Sequence, residues 1–332
     1  MEATLSFTVP PFTLENYLGK GGRGIVFRTD ETTATKLVPL QKMPPSYAAL
    51  HNQPLTVEDN EEEILIDGKV PLDLSAQADY NFALREYLAL HRLQGREHLL
   101  QVQRHSYAAL EGILYSVLEM DYLQGSPLSH FQEEAFGLLD IGKIVVDMVD
   151  ALKGLNEEDL IHGDMKPDNI IYQAGSMAQE GSAVLIDFDT VIFYREDVRN
   201  LLLGTYNYFS PDHIRGNFTP ALDLFSLGLV ARTLALGGGE LLTTHYRHLP
   251  QSSWVKAHLK YLYGYSNFNR DILVLELKQV GTPDAFAEAI GLCLDAVPSQ
   301  RNPQPLREEA QRLAQGAYPC TVYQEHYELL SL

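Results

Sequence analysis

Four polar residues stand at short intervals between apolar runs. Asp164, Lys166 and Asn169 occur in Ile161-His162-Gly163-Asp164-Met165-Lys166-Pro167-Asp168-Asn169-Ile170, and Asp187 in Val184-Leu185-Ile186-Asp187-Phe188-Asp189. Moving a phosphoryl group needs a carboxylate to orient the nucleophile, a cation near the transferring phosphate, and oxygen ligands for magnesium. Asp164, Lys166, Asn169 and Asp187 supply those parts in order. Far upstream, Gly19-Lys20-Gly21-Gly22-Arg23-Gly24-Ile25-Val26 spells G-x-G-x-x-G-x-V. Glycines such as Gly19, Gly21, Gly22 and Gly24 let backbone N–H groups approach phosphates without obstruction by Cβ, although a glycine-rich hairpin turn reads similarly.

The continuation separates this segment from a dinucleotide-binding turn. Ile25 to Val38 reads as a strand, a turn and another strand, with no helix opening after the last glycine. Lys36 falls on the later strand, where its amine can reach the phosphates of a nucleotide beneath the loop if an acid holds it. Glu86, on a predicted helix, is the preferred acid; Glu97 falls at that helix's end and points less readily at the same place.

These residues need a scaffold, and the pattern around them supplies one. Phe12 to Leu40 reads as consecutive hairpins, Pro39 to Asp79 as an insertion rich in proline and acids, and Asn81 to Leu93 as an amphipathic helix. The insertion is weighed as solvated decoration against a segment that binds a regulatory partner or restrains the helix. Strands follow over Leu99 to Tyr107 and Ile113 to Met120, and Gly125-Ser126-Pro127 marks a boundary. Helical periodicity then dominates: Leu138 to Leu155, Ala221 to Leu236, Trp254 to Tyr263, Pro283 to Leu294 and Pro305 to Gln315. Strands with one helix, then many helices, predict an α+β architecture of two lobes with a cleft between them.

From Gly19 to Arg301 the chain resembles the eukaryotic-type protein kinases of the serine/threonine class. The resemblance implies a small β-rich lobe over residues 1–119 carrying the insertion at about 39–79, a hinge over 120–125 and a larger helical lobe over 126–332. It implies Asp164 as catalytic base, Lys166 as a γ-phosphate contact, Lys36 and Glu86 as the phosphate-positioning pair, and Asn169 and Asp187 as metal ligands. The cofactors implied are ATP and Mg2+, with Mn2+ as a substitute. Met120 would flank the adenine pocket, backbone groups of Asp121 and Leu123 would bond the base, and Val26, Ala34 and Ile171 would sandwich it. Gly204-Thr205-Tyr206-Asn207-Tyr208-Phe209-Ser210-Pro211-Asp212 resembles the shelf for a peptide substrate, with Arg301 pairing Asp212. Asp223 resembles the start of the large lobe's central helix. Lys166 together with Thr205 follows the pattern for Ser/Thr acceptors on protein substrates.

Three departures stand out. Gly163 replaces the arginine that commonly precedes the catalytic aspartate, and Val191 to Leu203 contains no Ser or Thr, so activity is expected not to require phosphorylation of that segment. Asp189 replaces a glycine beside the metal ligand. Arg23 occupies the loop tip where an aromatic residue is common, and phosphate or substrate contact is weighed there against plain exposure. The H-G-D-x-x-x-x-N and I-D-F-D motifs also resemble small-molecule phosphotransferases of the aminoglycoside and choline kinase type. Lys166, the segment Gly204 to Pro211 and Arg301 weigh for protein substrates instead. A pseudokinase, a binding module without turnover, would need a missing part, yet Lys36, Asp164, Asn169 and Asp187 are all present.

Composition narrows the partners. The chain has 332 residues, 45% hydrophobic and 21% charged, with a formal net charge of -19, so nucleic acid and anionic membranes are disfavoured, and solubility is weighed against attraction of basic segments of a partner. Cys293 and Cys320 are too few for a disulfide framework and suit a reducing compartment. No signal-like start and no apolar stretch of about 18 residues is present. Cytoplasmic residence, or delivery into a host cell as an effector, is the expectation.

Overall fold

Short β-branched runs after Asn16 pair in chain order. In the computed structural model, which describes residues 14–44, 54–55, 57–60, 63–66, 68–131, 136–174, 181–194, 204–237 and 270–318, β1 (Tyr17–Lys20), β2 (Ile25–Arg28) and β3 (Thr33–Lys42) form antiparallel hairpins. The chain divides into two units: Met1–Gly95 with Leu100–Leu123 and Asp187–Asp189, and the remainder. The fold is α+β, a β-rich lobe and a helical lobe, as the sequence pattern indicates.

The insertion is where expectation and structure differ most. It contributes β4 (Pro54–Leu55), β5 (Val57–Asn60), β6 (Glu63–Ile66) and β7 (Val70–Pro71). Strands β5, β6 and β7 form a small antiparallel sheet, so the acidic Glu58 and Asp59 lie on a paired strand rather than a solvated loop. Leu55, Ile64, Ile66 and Leu72 are buried in one cluster with Val38 and Leu40 of β3 and with Met43 just after it. The side chain of Gln41 reinforces the join, accepting from Asp73 N at 2.7 Å and donating to Pro71 O at 3.3 Å.

Helix α1 (Leu74–Arg92) also starts seven residues earlier than the periodicity from Asn81 indicates. Ala76, Tyr80 and Ala83 give it a buried stripe facing that same cluster. Strands β8 (Val102–Leu110) and β9 (Ile113–Asp121) complete a sheet in the order β1-β2-β3-β9-β8-β4, all neighbours antiparallel. The polar edge of β8 packs His105 against Tyr87 of α1, with ring centroids 4.8 Å apart, and His105 Nε2 bonds Ser116 Oγ at 2.8 Å.

In the second unit the chain passes β10 (Ser126–Pro127) and enters α2 (Leu138–Glu157), whose buried face runs from Ile141 through Val145, Met148 and Leu152 to Leu155. Strands β11 (Leu160–Ile161), β12 (Ile170–Gln173), β13 (Ser182–Leu185) and β14 (Ile192–Phe193) form two small sheets, with β11 paired to β14 and β12 paired to β10 and β13. A single turn, α3 (Pro211–Ile214), is capped by Ser210, whose Oγ accepts from His213 N. Helix α4 (Ala221–Ala235) is buried on nearly every side, the mark of a central core helix. Around it lie α5 (Arg270–Gln279), which the sequence reading omits, α6 (Asp284–Cys293) and α7 (Pro303–Ala314). The helix expected over Trp254 to Tyr263 lies outside the described residues. Among the described residues no helix is long and apolar enough to cross a membrane.

Candidate active site

Lys36 sits in the middle strand of the first unit's sheet, opposite Val26 on β2 and Leu118 on β9, and is 3% exposed. A lysine buried there needs compensating charge. Its Nζ donates to Glu86 Oε1 and Oε2 at 2.8 and 2.9 Å and to Asp187 Oδ1 at 3.0 Å. Burial works against the ammonium, but Glu86, Asp187 and Asp189 together outweigh it and raise the lysine above its ordinary range, so it stays charged. Burial pushes the Glu86 carboxyl up, with Lys36 pulling the other way. Glu97, the acid set aside in the sequence, is exposed.

The glycine segment turns between β1 and β2, with Gly21 N donating to Gly24 O at 2.9 Å. Gly24 is needed for space, since a Cβ there would lie 2.7 Å from Leu37 O; Cβ atoms on Gly21 and Gly22 would make ordinary contact, 3.9 and 3.8 Å from the carboxylates of Asp187 and Asp189. Arg23, weighed as a phosphate contact or an exposed residue, instead pairs with Asp79 of α1 and lies over the Phe82 ring. At the other end of the sheet Ala34 and Met120 are buried opposite one another. Asp121 N is committed to Gln101 O at 3.0 Å, so what Asp121 can offer a base is its carbonyl. Val26, Leu123 and, in the second unit, Ile171 are half-buried.

In the second unit Asp164 follows β11, and its loop is braced on both sides. Asp223, in the first turn of α4, accepts from His162 N through Oδ2 at 2.7 Å and from Gly163 N through Oδ1 at 2.9 Å. Burial pushes the Asp223 carboxyl above its ordinary range, against the pull of His162 and those two N–H groups. His162 Nε2 donates to Ile186 O at 3.0 Å, which fixes the tautomer and leaves Nδ1 to accept from Asp164 N at 3.3 Å. Sequence reading placed Asp223 on the central helix but missed this anchoring role; an acid in the first turn of a mostly apolar helix was the available signal.

Around Asp164 the polar atoms form a closed set with one gap. Oδ2 takes Lys166 Nζ at 2.6 Å and Asn169 Nδ2 at 3.2 Å; Lys166 Nζ also donates to Thr205 Oγ1 at 2.8 Å, and Asn169 Nδ2 to Asp164 O at 2.9 Å. Asp164 Oδ1 is buried and has no hydrogen-bond partner among the described residues. Gly204, at φ +109, packs beside that oxygen, and a Cβ there would lie 3.4 Å from Oδ1 and 2.5 Å from Gly163 O. Deeper in this unit Arg301 donates to both oxygens of Asp212 at 2.6 and 3.2 Å, and also to Asp295 O and Ala221 O. Both side chains are buried, and the pair ties α3 to α4 and to the loop before α7.

Comparison with known proteins accords with this geometry. A family model described as the protein kinase domain matches residues 12–301. The chain belongs to the protein kinase family. Relatives of this kinase domain include the serine/threonine-protein kinase SCH9 of Saccharomyces cerevisiae, 28% identical over 48% of the chain and 18% of that protein. They also include an Aurora kinase of Schizosaccharomyces pombe, 25% identical over 70% of the chain and 56% of that protein, and mitogen-activated protein kinase kinase 2 of Arabidopsis thaliana, 31% identical over 36% and 33%. The kinase domain therefore spans less than two thirds of the length of these curated relatives.

Proteins of this family use ATP and a divalent metal, and the donor chemistry here fits such an ion. Asn169 has its amide N–H group turned to Asp164, which leaves its carbonyl oxygen as the atom that would face a cation. Asp187 offers carboxylate oxygen beside Lys36. Both are hard oxygen donors of the kind Mg2+ and Mn2+ take.

Proposed function

We propose that the chain transfers the γ-phosphate of ATP to Ser or Thr hydroxyls of protein substrates. The observation that carries this reading is Asp164 Oδ1, a buried carboxylate oxygen with no partner among the described residues, set beside a lysine already fixed by Thr205. A buried acceptor without a partner in an otherwise satisfied network lacks one donor. An incoming hydroxyl supplies that donor, and Asp164 orients it and takes its proton. Lys166, 2.6 Å from Oδ2, offsets the negative charge on the oxygens of the transferred phosphate.

Lys36, held by Glu86, binds the α- and β-phosphates. Asp187 and Asn169 hold Mg2+, with Mn2+ as a substitute; when bound, the ion neutralises phosphate charge. Gly19, Gly21, Gly22 and Gly24 form the loop that follows the phosphates, with Gly21 N closing its turn onto Gly24 O. Met120, Asp121 and Leu123 serve as hinge, and Val26, Ala34 and Ile171 as apolar contacts of the base. The Lys166–Thr205 bond supports Ser/Thr acceptors, and the Arg301–Asp212 brace under residues 204–212 supports a polypeptide substrate.

The proposed regulation is internal. Gly163 provides no cation for a phosphorylated loop, and the insertion shares a core with α1, so the insertion itself restrains the helix that delivers Glu86, one of the roles weighed for it in the sequence. The test is transfer of labelled γ-phosphate from Mg-ATP to a generic basic protein, with Asp164→Ala and Asp187→Ala as controls. Label on Ser or Thr that disappears in both variants is the expected result. Turnover stimulated only by small hydroxylated or amine compounds, or nucleotide binding without turnover, overturns it.

A further inference from the structure

The tip of the glycine segment is fastened to a helix. Arg23 Nη1 donates to Asp79 Oδ1 at 3.0 Å, and the guanidinium carbon lies 3.4 Å from the centre of the Phe82 ring. Asp79, Phe82 and Glu86 are spaced i, i+3 and i+7 on α1 and therefore share a face. The face that delivers Glu86 to Lys36 thus also holds the loop tip. One turn of rotation or a small slide of α1 breaks both connections together.

The rest of the loop lies where such a fastening matters. Gly21 and Gly22 pass over the carboxylates of Asp187 and Asp189 close enough that a Cβ on each would just touch them. The N-terminal half of α1 is itself fixed through Ala76, Tyr80 and Ala83 in the cluster shared with the insertion. A loop rich in glycine has high conformational entropy when untethered, and a tether reduces what nucleotide binding must freeze.

We propose that Arg23 is a positioning residue that clasps the glycine loop to α1, so that closure of the loop over a nucleotide and pairing of Lys36 with Glu86 occur as one event. The inference rests on the nucleotide-binding part of the proposed function. It assigns Asp79 and Phe82 as the clasp's other half, and it makes Arg23 act through the loop backbone and not by touching phosphate.

Calorimetric titration of the full chain with Mg-ADP tests this, using Arg23→Gln, Asp79→Asn, the double variant and Phe82→Leu. The clasp is a partly exposed ion pair plus a stacked cation, so losing it weakens affinity by about five-fold. Arg23→Gln and Asp79→Asn are each expected to show that loss, the double variant no more than either alone, and Phe82→Leu a smaller loss in the same direction. In turnover the KM for ATP rises while that for the protein substrate does not. Direct phosphate contact predicts the opposite split: Arg23→Gln weakens binding, whereas Asp79→Asn frees the arginine and leaves binding unchanged or tighter. That pattern, additive losses, or unchanged affinity in Arg23→Gln overturns the proposal. Should Arg23→Gln fail to fold, Phe82→Leu and Asp79→Asn decide it. Wild-type chain that binds no nucleotide removes the proposal together with the function on which it rests.

Discussion

Replacing Ile66 by alanine tests whether the insertion is part of the machinery or an ornament on it. Ile66 is 0% exposed, on β6, and contributes to a cluster that also holds Val38 of β3 and Tyr80 of α1. Truncation to alanine removes three carbons, roughly 2.4 kcal/mol of transfer free energy at about 0.8 kcal/mol each. The cavity left behind adds to this, and a loss of about 3 kcal/mol is expected. For a unit of this size such a loss lowers the unfolding midpoint by about 10 °C or more. Leu88→Ala on the same helix is the control, because Leu88 is 43% exposed and its truncation should stay within about 0.5 kcal/mol. Calorimetric melting of the full chain reads the midpoint, and hydrogen exchange on peptides from α1 reads where protection is lost. Faster exchange in α1, with weaker Mg-ATP binding, is expected because the cluster steadies the helix that carries Glu86. An Ile66→Ala chain that melts within 2 °C of wild type and exchanges normally in α1 would refute the reasoning, leaving the insertion as solvated decoration.

Other expectations follow from single contacts. Asp223→Asn keeps one acceptor and turns an amide N–H group against a backbone N–H, a cost of about 2–3 kcal/mol on the loop bearing Asp164; kcat should fall roughly 30- to 160-fold with nucleotide affinity little changed. Gly24→Ala forces a Cβ to 2.7 Å from Leu37 O, so β2 must part from β3 and both melting temperature and ATP affinity should drop. Burial lowers the His105 imidazole to about 4, below its ordinary value, so between that pH and about 6.5 the unfolded chain binds the extra proton and stability rises with pH. Acidifying from pH 7 to 5 should therefore cost up to about 2 kcal/mol, and His105→Gln should flatten that slope in urea titrations. Arg301→Lys cannot reproduce the two-oxygen contact with Asp212, and breaking this buried pair should cost about 3 kcal/mol in denaturant unfolding.

Much of the site was legible because chemistry there is written in short intervals. Lys36 announces itself as a lone cation within a β-branched run, and Asp164, Lys166 and Asn169 lie within one loop. Glu86 could be chosen over Glu97 because helix position separates them. What could not be read was long-range contact: Arg23 and Asp79 are 56 residues apart, and no local pattern says that the loop tip finds the helix. The insertion's core was not legible for another reason. Its acids and prolines dominate the composition, while Ile64, Ile66 and Leu72 are too sparse to announce a core until β3 and α1 supply the remainder. The early start of α1 did carry a signal, since Ala76, Tyr80 and Ala83 already repeat at helical spacing ahead of Asn81.

Gly163 closes a route as well as opening a turn. Its φ of +78 belongs to the left-handed region, and a Cβ there would stand 3.1 Å from Thr190 O. Arginine at this position would carry a penalty of about 1–2 kcal/mol from the backbone alone. Relieving it by turning the peptide would pull Gly163 N off Asp223 and shift the neighbouring Asp164. The absent cation is therefore a ratchet: one substitution cannot restore it, and a designer wishing to place this chain under the control of a phosphorylated loop would have to rebuild residues 162–164 and the helix end beneath them together.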